Sequence, residues 1–251
     1  MDFTITQYKK LLSALKLSEY EFQTFNEFLL DPKEKVIILR HDVDLLPSNS
    51  LRLAEIQNEL SINGTYYFRA VPESWDENVI VQIAALGHEI GYHYENLTTC
   101  NGDFKKGIHD FEKNLTNLRD LAQVSTICMH GSPMSKYDSK DLWKDYNYKD
   151  FGIIGEPYFD VDFDKIFYLT DTGRCWDGHK VSVRDKVDTS FKQTYHSTNQ
   201  IIDALKKNEL PDRIMFTFHP QRWHHNSLFW MKELLFQNSK NLIKKYFFVS
   251  K

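Results

Sequence analysis

The chain has 251 residues and a formal net charge of −4, a size that fits one large α/β domain or two small ones. Hydrophobic residues make up 41% and charged residues 26%, and this mildly acidic composition gives no reason to expect a nucleic-acid partner, because phosphate binding needs a basic surface. We expect no membrane span and no signal peptide, and three cysteines without a C-x-x-C pair favour a reducing, cytoplasmic compartment.

Alternating helical and extended patterns run along the whole chain. Apolar residues at helical spacing predict two short helices within residues 4–30. Residues 36–39 are uniformly apolar, which predicts a strand buried on both faces, and we expect Ser48 or Asn49 to cap the helix that follows. Further strands are predicted at residues 65–69, 89–92, 126–129, 152–154, 166–169 and 214–218, and further helices at residues 77–86, 104–122, 140–146, 200–207 and 228–242.

The alternation of strands and helices predicts a parallel sheet, either doubly wound or closed into a barrel. In both architectures the functional groups lie at the carboxyl ends of the strands. Polar and ionisable residues follow these predicted strand ends: Arg40, His41, Asp42, Asp44, Arg69, His93, Glu95, Asn96, His130, Asp171 and His219. If the strands are parallel, these side chains converge on one rim.

A set of carboxylates and imidazoles suits Zn²⁺ or a similar divalent ion. Three such ligands with one open position would make a water acidic enough to attack near neutral pH. The sequence shows neither a serine nucleophile elbow nor a glycine-rich phosphate loop. The residues alone therefore favour hydrolytic chemistry at a metal.

Each of these residues also has a purely structural interpretation. An isolated D-x-D such as Asp42 and Asp44 is usually a solvated turn or a helix cap. We interpret His41 as a residue that bonds a backbone carbonyl rather than a metal. Three other histidines could be buried core residues: His93, His130 and His219. Three tryptophans are interpreted as packing residues rather than platforms for sugar rings: Trp143, Trp176 and Trp223.

Four stretches, in this order and spacing, resemble the polysaccharide deacetylases, the NodB-homology group of carbohydrate esterase family 4. They are VIILRHDVD, INGTYYFRA, ALGHEIGYHYENL and FTFHP, and the resemblance spans roughly residues 35–220. It implies a deformed (β/α) barrel of about seven parallel strands over residues 32–251, behind an N-terminal helical extension of residues 1–31. It also implies a divalent metal, foremost Zn²⁺ with Co²⁺, Ni²⁺ and Mn²⁺ as alternatives, and removal of an acyl group from an N-acylated sugar.

The resemblance assigns roles to individual residues. It implies that Asp44 and His93 bind the metal, that Asp42 is the general base, and that His219 is the general acid. Asp171, in YLTDTGRCWD, matches a further motif of the family loosely and joins the expected catalytic set.

An arginine is expected to orient the base, and both Arg40 and Arg174 are candidates. The sequence is closest to deacetylase-like variants that begin with RHDVD and end with HP-x-R-W, of the kind found with surface-polysaccharide synthesis. Arg222 and Trp223 stand in the second of these motifs.

One position departs from the family pattern. The family usually carries His-x-x-x-His with both histidines on the metal, whereas here His93 is followed four residues later by Leu97, which cannot bind a metal. Either metal binding is lost or another residue supplies the third ligand. His130 is our candidate because it ends a neighbouring strand, and Glu95 is the alternative.

Three functions remain open at this point. The first is a metal-dependent deacetylase that acts on an N-acylated sugar or polysaccharide precursor. The second is a non-catalytic carbohydrate-binding protein that keeps the barrel, which Leu97 favours. The third is a metal-dependent hydrolase of another C–N bond, such as that of a cyclic amide, since a fold does not determine an activity. The sequence does not determine the oligomeric state.

Overall fold

The computed structural model describes residues 1–132, 134–176 and 187–244. Within these residues seven strands form one sheet in which every pairing is parallel. The strands are β1 (Glu21–Gln23), β2 (Val36–Val43), β3 (Thr65–Phe68), β4 (Glu89–Tyr94), β5 (Ile127–Met129), β6 (Phe167–Thr170) and β7 (Arg213–Phe218).

The sheet has the order β5-β4-β3-β2-β7-β6. β1 and β3 pair with the same edge of β2, β1 with its first residues and β3 with its last residues. Within the described part of the chain, β5 and β6 end this path and do not pair with each other. The sheet is therefore an open, deformed (β/α) barrel, which confirms the predicted fold class.

Helices surround the sheet. They are α1 (Ile5–Leu17), α2 (Phe25–Leu30), α3 (Pro47–Glu59), α4 (Glu77–Ala85), α5 (Asn96–Thr99), α6 (Phe104–Arg119), α7 (Pro157–Asp160), α8 (Thr198–Lys206) and α9 (Ser227–Lys244), with 3₁₀ helices at Ser139–Lys144, Tyr148–Phe151, Thr172–Arg174 and Pro220–Arg222. Among the described residues, no helix combines the length and the apolarity that crossing a bilayer requires. The N-terminal segment contains α1 and α2 as predicted and also β1, whose three residues are too few for a recognisable pattern. The boundary after residue 31 stays a prediction.

Side chains alternate between the two faces of β2, the central strand. Ile37 and Leu39 point outward into the layer between the sheet and helices α1 and α8. Val36 and Ile38 point inward into an apolar cluster that also contains Met215. Because the side-chain period of a strand is two residues, Arg40 and Asp42 share the inner face with Val36 and Ile38.

Gly91 in β4 makes room for an aromatic ring in the barrel interior. A Cβ atom at this position would lie 2.2 Å from the Tyr67 ring, so no side chain fits without displacing that ring. The Tyr67 hydroxyl lies 3.1 Å from Thr126 Oγ1, and both residues are buried. Tyr67 therefore fills the interior on the sheet face that carries the inward residues of β2.

Three local predictions were wrong. β2 continues to Val43, so Arg40 and Asp42 lie inside a strand, where their mutual ion pair allows charge to be buried. Residues 152–154 form no strand, although Gly155 makes one isolated bridge to Thr126. The helix after β2 begins at Pro47, whose fixed φ suits the first helical position, and Leu46 occupies the cap instead of Ser48 or Asn49.

Candidate metal centre and acid–base site

Three potential metal ligands meet at the carboxyl rim of the sheet. Asp44 follows β2, His93 lies near the end of β4, and His130 follows β5. Asp44 Oδ1 is 3.6 Å from His93 Nε2 and 3.5 Å from His130 Nε2. One ligand atom from each residue lies within 4.8 Å of the other two, a cluster compact enough for one ion.

Hydrogen bonds fix which ring nitrogen of each histidine faces the cluster. His93 Nδ1 is 2.9 Å from the carbonyl oxygen of Cys128, and His130 Nδ1 is 2.8 Å from Glu95 Oε2. Because both partners are acceptors, each Nδ1 carries the hydrogen and each Nε2 presents a lone pair to Asp44 in the neutral ring. Metal-binding histidines are commonly oriented by this kind of bond.

Asp44 has one carboxylate oxygen available to bind an ion. Its Oδ2 accepts a hydrogen bond of 2.9 Å from Gln221 Nε2, whereas its buried Oδ1 has no hydrogen-bond partner among the described residues. Burial alone would raise the pKa of Asp44, but His93, His130 and His219 hold it well below its usual range. An ionised carboxylate oxygen beside two imidazole lone pairs is a donor set that fits Zn²⁺ or a similar divalent ion.

A buried ion pair lies next to this cluster. Arg40 donates from Nε to Asp42 Oδ1 at 2.8 Å and from Nη2 to Asp42 Oδ2 at 2.6 Å. Burial raises the pKa of Asp42, but Arg40 and His93 outweigh that effect and lower it to about 2. Asp42 Oδ2 is also 3.9 Å from His93 Nε2, so the carboxylate borders the candidate metal position while Arg40 holds it in place.

His219 approaches the cluster from the opposite side, with Nε2 3.9 Å from Asp44 Oδ2. Its Nδ1 is 2.6 Å from Asp171 Oδ1, and Asp171 is fully buried. Arg222 Nη1 and Trp223 Nε1 donate to the two carboxylate oxygens of Asp171 at 2.8 Å and 2.7 Å. Burial raises the pKa of Asp171, but His219 and Arg222 lower it below its usual value. The HP-x-R-W stretch thus holds the carboxylate that orients its own histidine.

Glu95, the alternative third ligand, lies behind His130. Its Oε2 accepts from His130 Nδ1 and, at 3.0 Å, from the Ser132 hydroxyl, and its Oε1 accepts from Arg69 Nε at 2.7 Å. Burial raises the pKa of Glu95, but His130 and Arg69 lower it to about 2. With both oxygens engaged, Glu95 is placed to orient His130 rather than to bind an ion itself.

Leu97, at the position where the second histidine of the motif is expected, points away from the cluster. It lies in α5, is buried in the outer apolar layer, and its Cδ2 would be 3.3 Å from a Cβ added to Gly107 of α6. A histidine at this position in the present backbone would meet α6 and not the candidate ion. Among the described residues it is His130 that completes the cluster with Asp44 and His93.

A second group of donors shares residues with the first. Asp42, His93 and Cys128 also place one possible ligand atom each within 4.8 Å. The Cys128 carbonyl already takes the Nδ1 hydrogen of His93, so Nε2 is the nitrogen free to bind an ion. The group with Asp44 is the better candidate because it contains the unsatisfied oxygen.

The structure brings together seven of the predicted residues: Arg40, Asp42, Asp44, His93, His130, Asp171 and His219. Arg174 is elsewhere, paired with Glu233 of α9 at 2.6 Å, so Arg40 is the arginine that holds Asp42. His41 points to the outer face and its Nδ1 is 3.1 Å from the Thr65 carbonyl oxygen, as interpreted from the sequence.

Sequence reasoning missed several supporting residues. Arg69 was noted only as a strand-end residue, yet its Nη1 donates to the Asp44 carbonyl oxygen at 3.0 Å. Tyr158 accepts from Arg40 Nη2 at 3.1 Å, and Gln221 donates to Asp44. The position of Arg69 after β3 was the available signal, whereas Tyr158 of α7 and Gln221 of the 3₁₀ helix Pro220–Arg222 lie in short helices that carry none. Trp176 and Trp223 are buried packing residues as interpreted from the sequence, and Trp143 packs against Phe111 at 4.9 Å between ring centroids.

No protein-family model matches the chain. No curated protein matches it either. Among solved structures, an esterase of carbohydrate esterase family 4 from Streptococcus mutans has a TM-score of 0.46 at 13% identity, with 87% of this chain and 85% of that chain covered.

A pseudoenzyme of family 4 from Bacillus anthracis has a TM-score of 0.45 at 14% identity, with 86% of this chain and 63% of that chain covered. A family 4 carbohydrate esterase from Bacillus subtilis has a TM-score of 0.39 at 14% identity, with 91% and 90% covered. This chain therefore spans less than two thirds of the pseudoenzyme's length. All three are described as members of carbohydrate esterase family 4, the family that the sequence motifs resemble.

Proposed function

We propose that the chain is a metal-dependent hydrolase that removes an acyl group, foremost acetyl, from the nitrogen of an N-acylated sugar or polysaccharide precursor in surface-polysaccharide metabolism. The observation that carries the proposal is the unsatisfied Oδ1 of Asp44 between the Nε2 atoms of His93 and His130. Those three residues would hold the ion, with Zn²⁺ as the first choice and Co²⁺, Ni²⁺ or Mn²⁺ as alternatives. When bound, a divalent ion supplies positive charge for the oxygen of the acyl carbonyl and increases the acidity of water.

Two further pairs of residues are suited to moving protons. Asp42 is ionised throughout the working pH range because its pKa is lowered to about 2, and it accepts the proton of the attacking water. Arg40 holds both carboxylate oxygens, so the base keeps one orientation. Since Arg40 donates to Asp42 and Tyr158 and to no ligand of the candidate ion, we assign it a positioning role.

His219 donates a proton from Nε2 to the departing nitrogen. Asp171 accepts from its Nδ1 and holds the ring in one orientation, and because Asp171 is buried away from the cluster its role is also positioning. In the balanced reaction the water oxygen forms a bond to the acyl carbon and the C–N bond breaks. One proton passes from the water to Asp42, and one passes from His219 to the nitrogen. Transfer of a proton from Asp42 back to His219 regenerates the site, and the products are a carboxylic acid and a free amine.

The test compares metal content with turnover. Protein stripped with a chelator and reloaded with Zn²⁺ is assayed for acetate release from a panel of N-acetylated sugars and for ring opening of cyclic amides. Asp42→Asn is expected to keep the metal and lose turnover, whereas Asp203→Asn, on the exposed side of α8, serves as the matched control.

Different results would support different alternatives. A parent protein that neither binds the metal nor releases acetate would support the non-catalytic carbohydrate-binding alternative. Ring opening without acetate release would support the cyclic amide alternative. Full activity of Asp42→Asn on every accepted substrate would contradict the assignment of the base. The cytoplasmic location expected from the sequence belongs to the same proposal, and the three cysteines form no disulfide among the described residues.

A further inference from the structure

Helix α9 carries an exposed apolar stripe. It begins eight residues after His219, on the side of the sheet where the candidate site lies. Four of its large apolar side chains are mostly exposed: Leu228 (74%), Phe229 (60%), Met231 (53%) and Leu235 (64%). Leu228, Met231 and Leu235 follow one another at intervals of three and four residues, so they share one face of the helix. An apolar helix face of this kind marks an interaction surface.

The opposite side of α9 is attached to the rest of the protein. Trp230 Nε1 donates to the backbone oxygen of Asp2 at 2.7 Å. Arg174 stacks over the Trp230 ring at 4.8 Å and pairs with Glu233 at 2.6 Å. These contacts fix which face of the helix is covered and leave the stripe on the outside.

Positive charge is concentrated in the same segment. Residues 226–251 contain five lysines and a single acidic residue, Glu233, a net charge of +4, whereas residues 1–225 carry −8. Glu233 is engaged by Arg174, so its charge is compensated locally. A basic segment that also carries large apolar residues is typical of helices that lie on a membrane surface.

A basic groove adjoins the start of α9. His225, two residues before the helix, lines this groove between α1 and α8. Four further lining residues are cations, namely Lys9, Lys10, Arg52 and Lys206, and Asp203 is its one carboxylate among the described residues. Lys9 is paired with Glu59 and Lys206 with Asp203, which leaves Lys10 and Arg52 as the groove cations without an ion pair among the described residues. The groove therefore places cationic side chains of α1 and α3 beside the start of α9.

We propose that the exposed face of α9, together with this basic groove, docks on the surface of an anionic phospholipid bilayer. The apolar side chains would enter the boundary between headgroups and acyl chains, and the exposed Lys232 of α9 with Lys10 and Arg52 of the groove would lie near the anionic headgroups. A second copy of the chain is the weaker occupant, because a two-fold interface would place the same lysine-rich segment of both copies together. The proposal goes beyond the hydrolase function and does not depend on it.

The test is co-sedimentation of the full chain with large unilamellar vesicles. We expect binding to vesicles of phosphatidylcholine with about 30% phosphatidylglycerol, little binding to phosphatidylcholine alone, and loss of binding as salt is raised from about 0.05 M to 0.5 M. A double variant, Leu228→Glu with Phe229→Glu, is expected to bind at least about tenfold more weakly, because it replaces two inserting side chains with charges that anionic lipids repel.

Leu30→Glu is the matched control. Leu30 is 72% exposed but ends α2, at the opposite, amino edge of the sheet, so this variant is expected to bind as the parent does. Circular dichroism checks that all variants are folded. Equal binding to both vesicle types, no binding by the parent, or unchanged binding by the double variant would each overturn the proposal.

Light scattering addresses the other occupant. A parent dimer that the double variant converts to monomer, without vesicle binding by the parent, would identify the stripe as a subunit interface and overturn the proposal. Neither assay contains metal or sugar, so failure of membrane binding and failure of the hydrolase assignment are separate results.

Discussion

The identity of the third metal ligand can be decided with two variants, His130→Ala and Glu95→Gln. The first removes an imidazole whose Nε2 lies 3.5 Å from Asp44 Oδ1. The second keeps all three ligands and changes the group that accepts the His130 Nδ1 hydrogen and pairs with Arg69. The two residues touch each other, yet the structure predicts very different consequences for the metal.

The expected magnitudes follow from these positions. Replacing a residue that orients a ligand usually costs about 10-fold to 100-fold in metal affinity, or about 1.4 to 2.8 kcal/mol, and we expect Glu95→Gln to fall in this range. His130→Ala leaves two protein ligands of three, so its loss of affinity should exceed about 100-fold.

Competition with a chromophoric chelator for Zn²⁺ measures both affinities on one scale. His109→Ala is the matched control, since His109 is exposed on α6, and its affinity should equal that of the parent. A loss for Glu95→Gln as large as that for His130→Ala would place Glu95 on the metal. Unchanged affinity and stoichiometry for His130→Ala would refute the assignment of His130.

Three further predictions concern buried charges. Asp42→Asn should lower the free energy of unfolding by about 3 kcal/mol, because Arg40 loses its carboxylate in the barrel interior, and adding Arg40→Met should recover most of that loss in chemical denaturation. A cost below about 1 kcal/mol would contradict a buried, mutually dependent pair. Asp171→Asn should reduce kcat by about 10² to 10⁴ with little change in KM, because His219 loses its orienting acceptor, and a rate within about threefold of the parent would count against this role. Burial raises the pKa of Glu156 to about 7, so between about pH 5 and pH 7 the folded state holds a proton that the unfolded state has released. Stability should therefore fall by up to about 3 kcal/mol as the pH rises through this range, and Glu156→Gln should flatten that dependence in thermal unfolding measured from pH 5 to pH 8.

The candidate site was predictable where one simple rule applied. In a parallel sheet the carboxyl ends of the strands lie at one edge, so residues that follow different strands meet even when they are far apart in the chain. This rule brought Asp44, His93, His130 and His219 together without any knowledge of the barrel's curvature. The alternation of strands and helices was likewise sufficient for the fold class.

Other features depend on contacts that the sequence does not display. Two charged residues argue against a buried strand, yet β2 contains Arg40 and Asp42 because they neutralise each other on its inner face. Glu95 was an alternative ligand until the structure showed its side chain directed at His130 and Arg69. Trp223 was interpreted as a packing residue, and its hydrogen bond to Asp171 follows from the turn after β7.

The departure at Leu97 also has a mechanical consequence. A metal held by Asp44 and a His-x-x-x-His pair would connect β2 only with β4 and the helix that follows it. With His130 as the third ligand, the ion would instead cross-link β2, β4 and the end of β5. β5 is a three-residue strand at one edge of the sheet. We expect metal removal to promote local unfolding of β5 first, because edge strands open easily. Opening would expose the apolar residues Ile127 and Met129. The ion would then protect this edge from aggregation in addition to its role in the reaction.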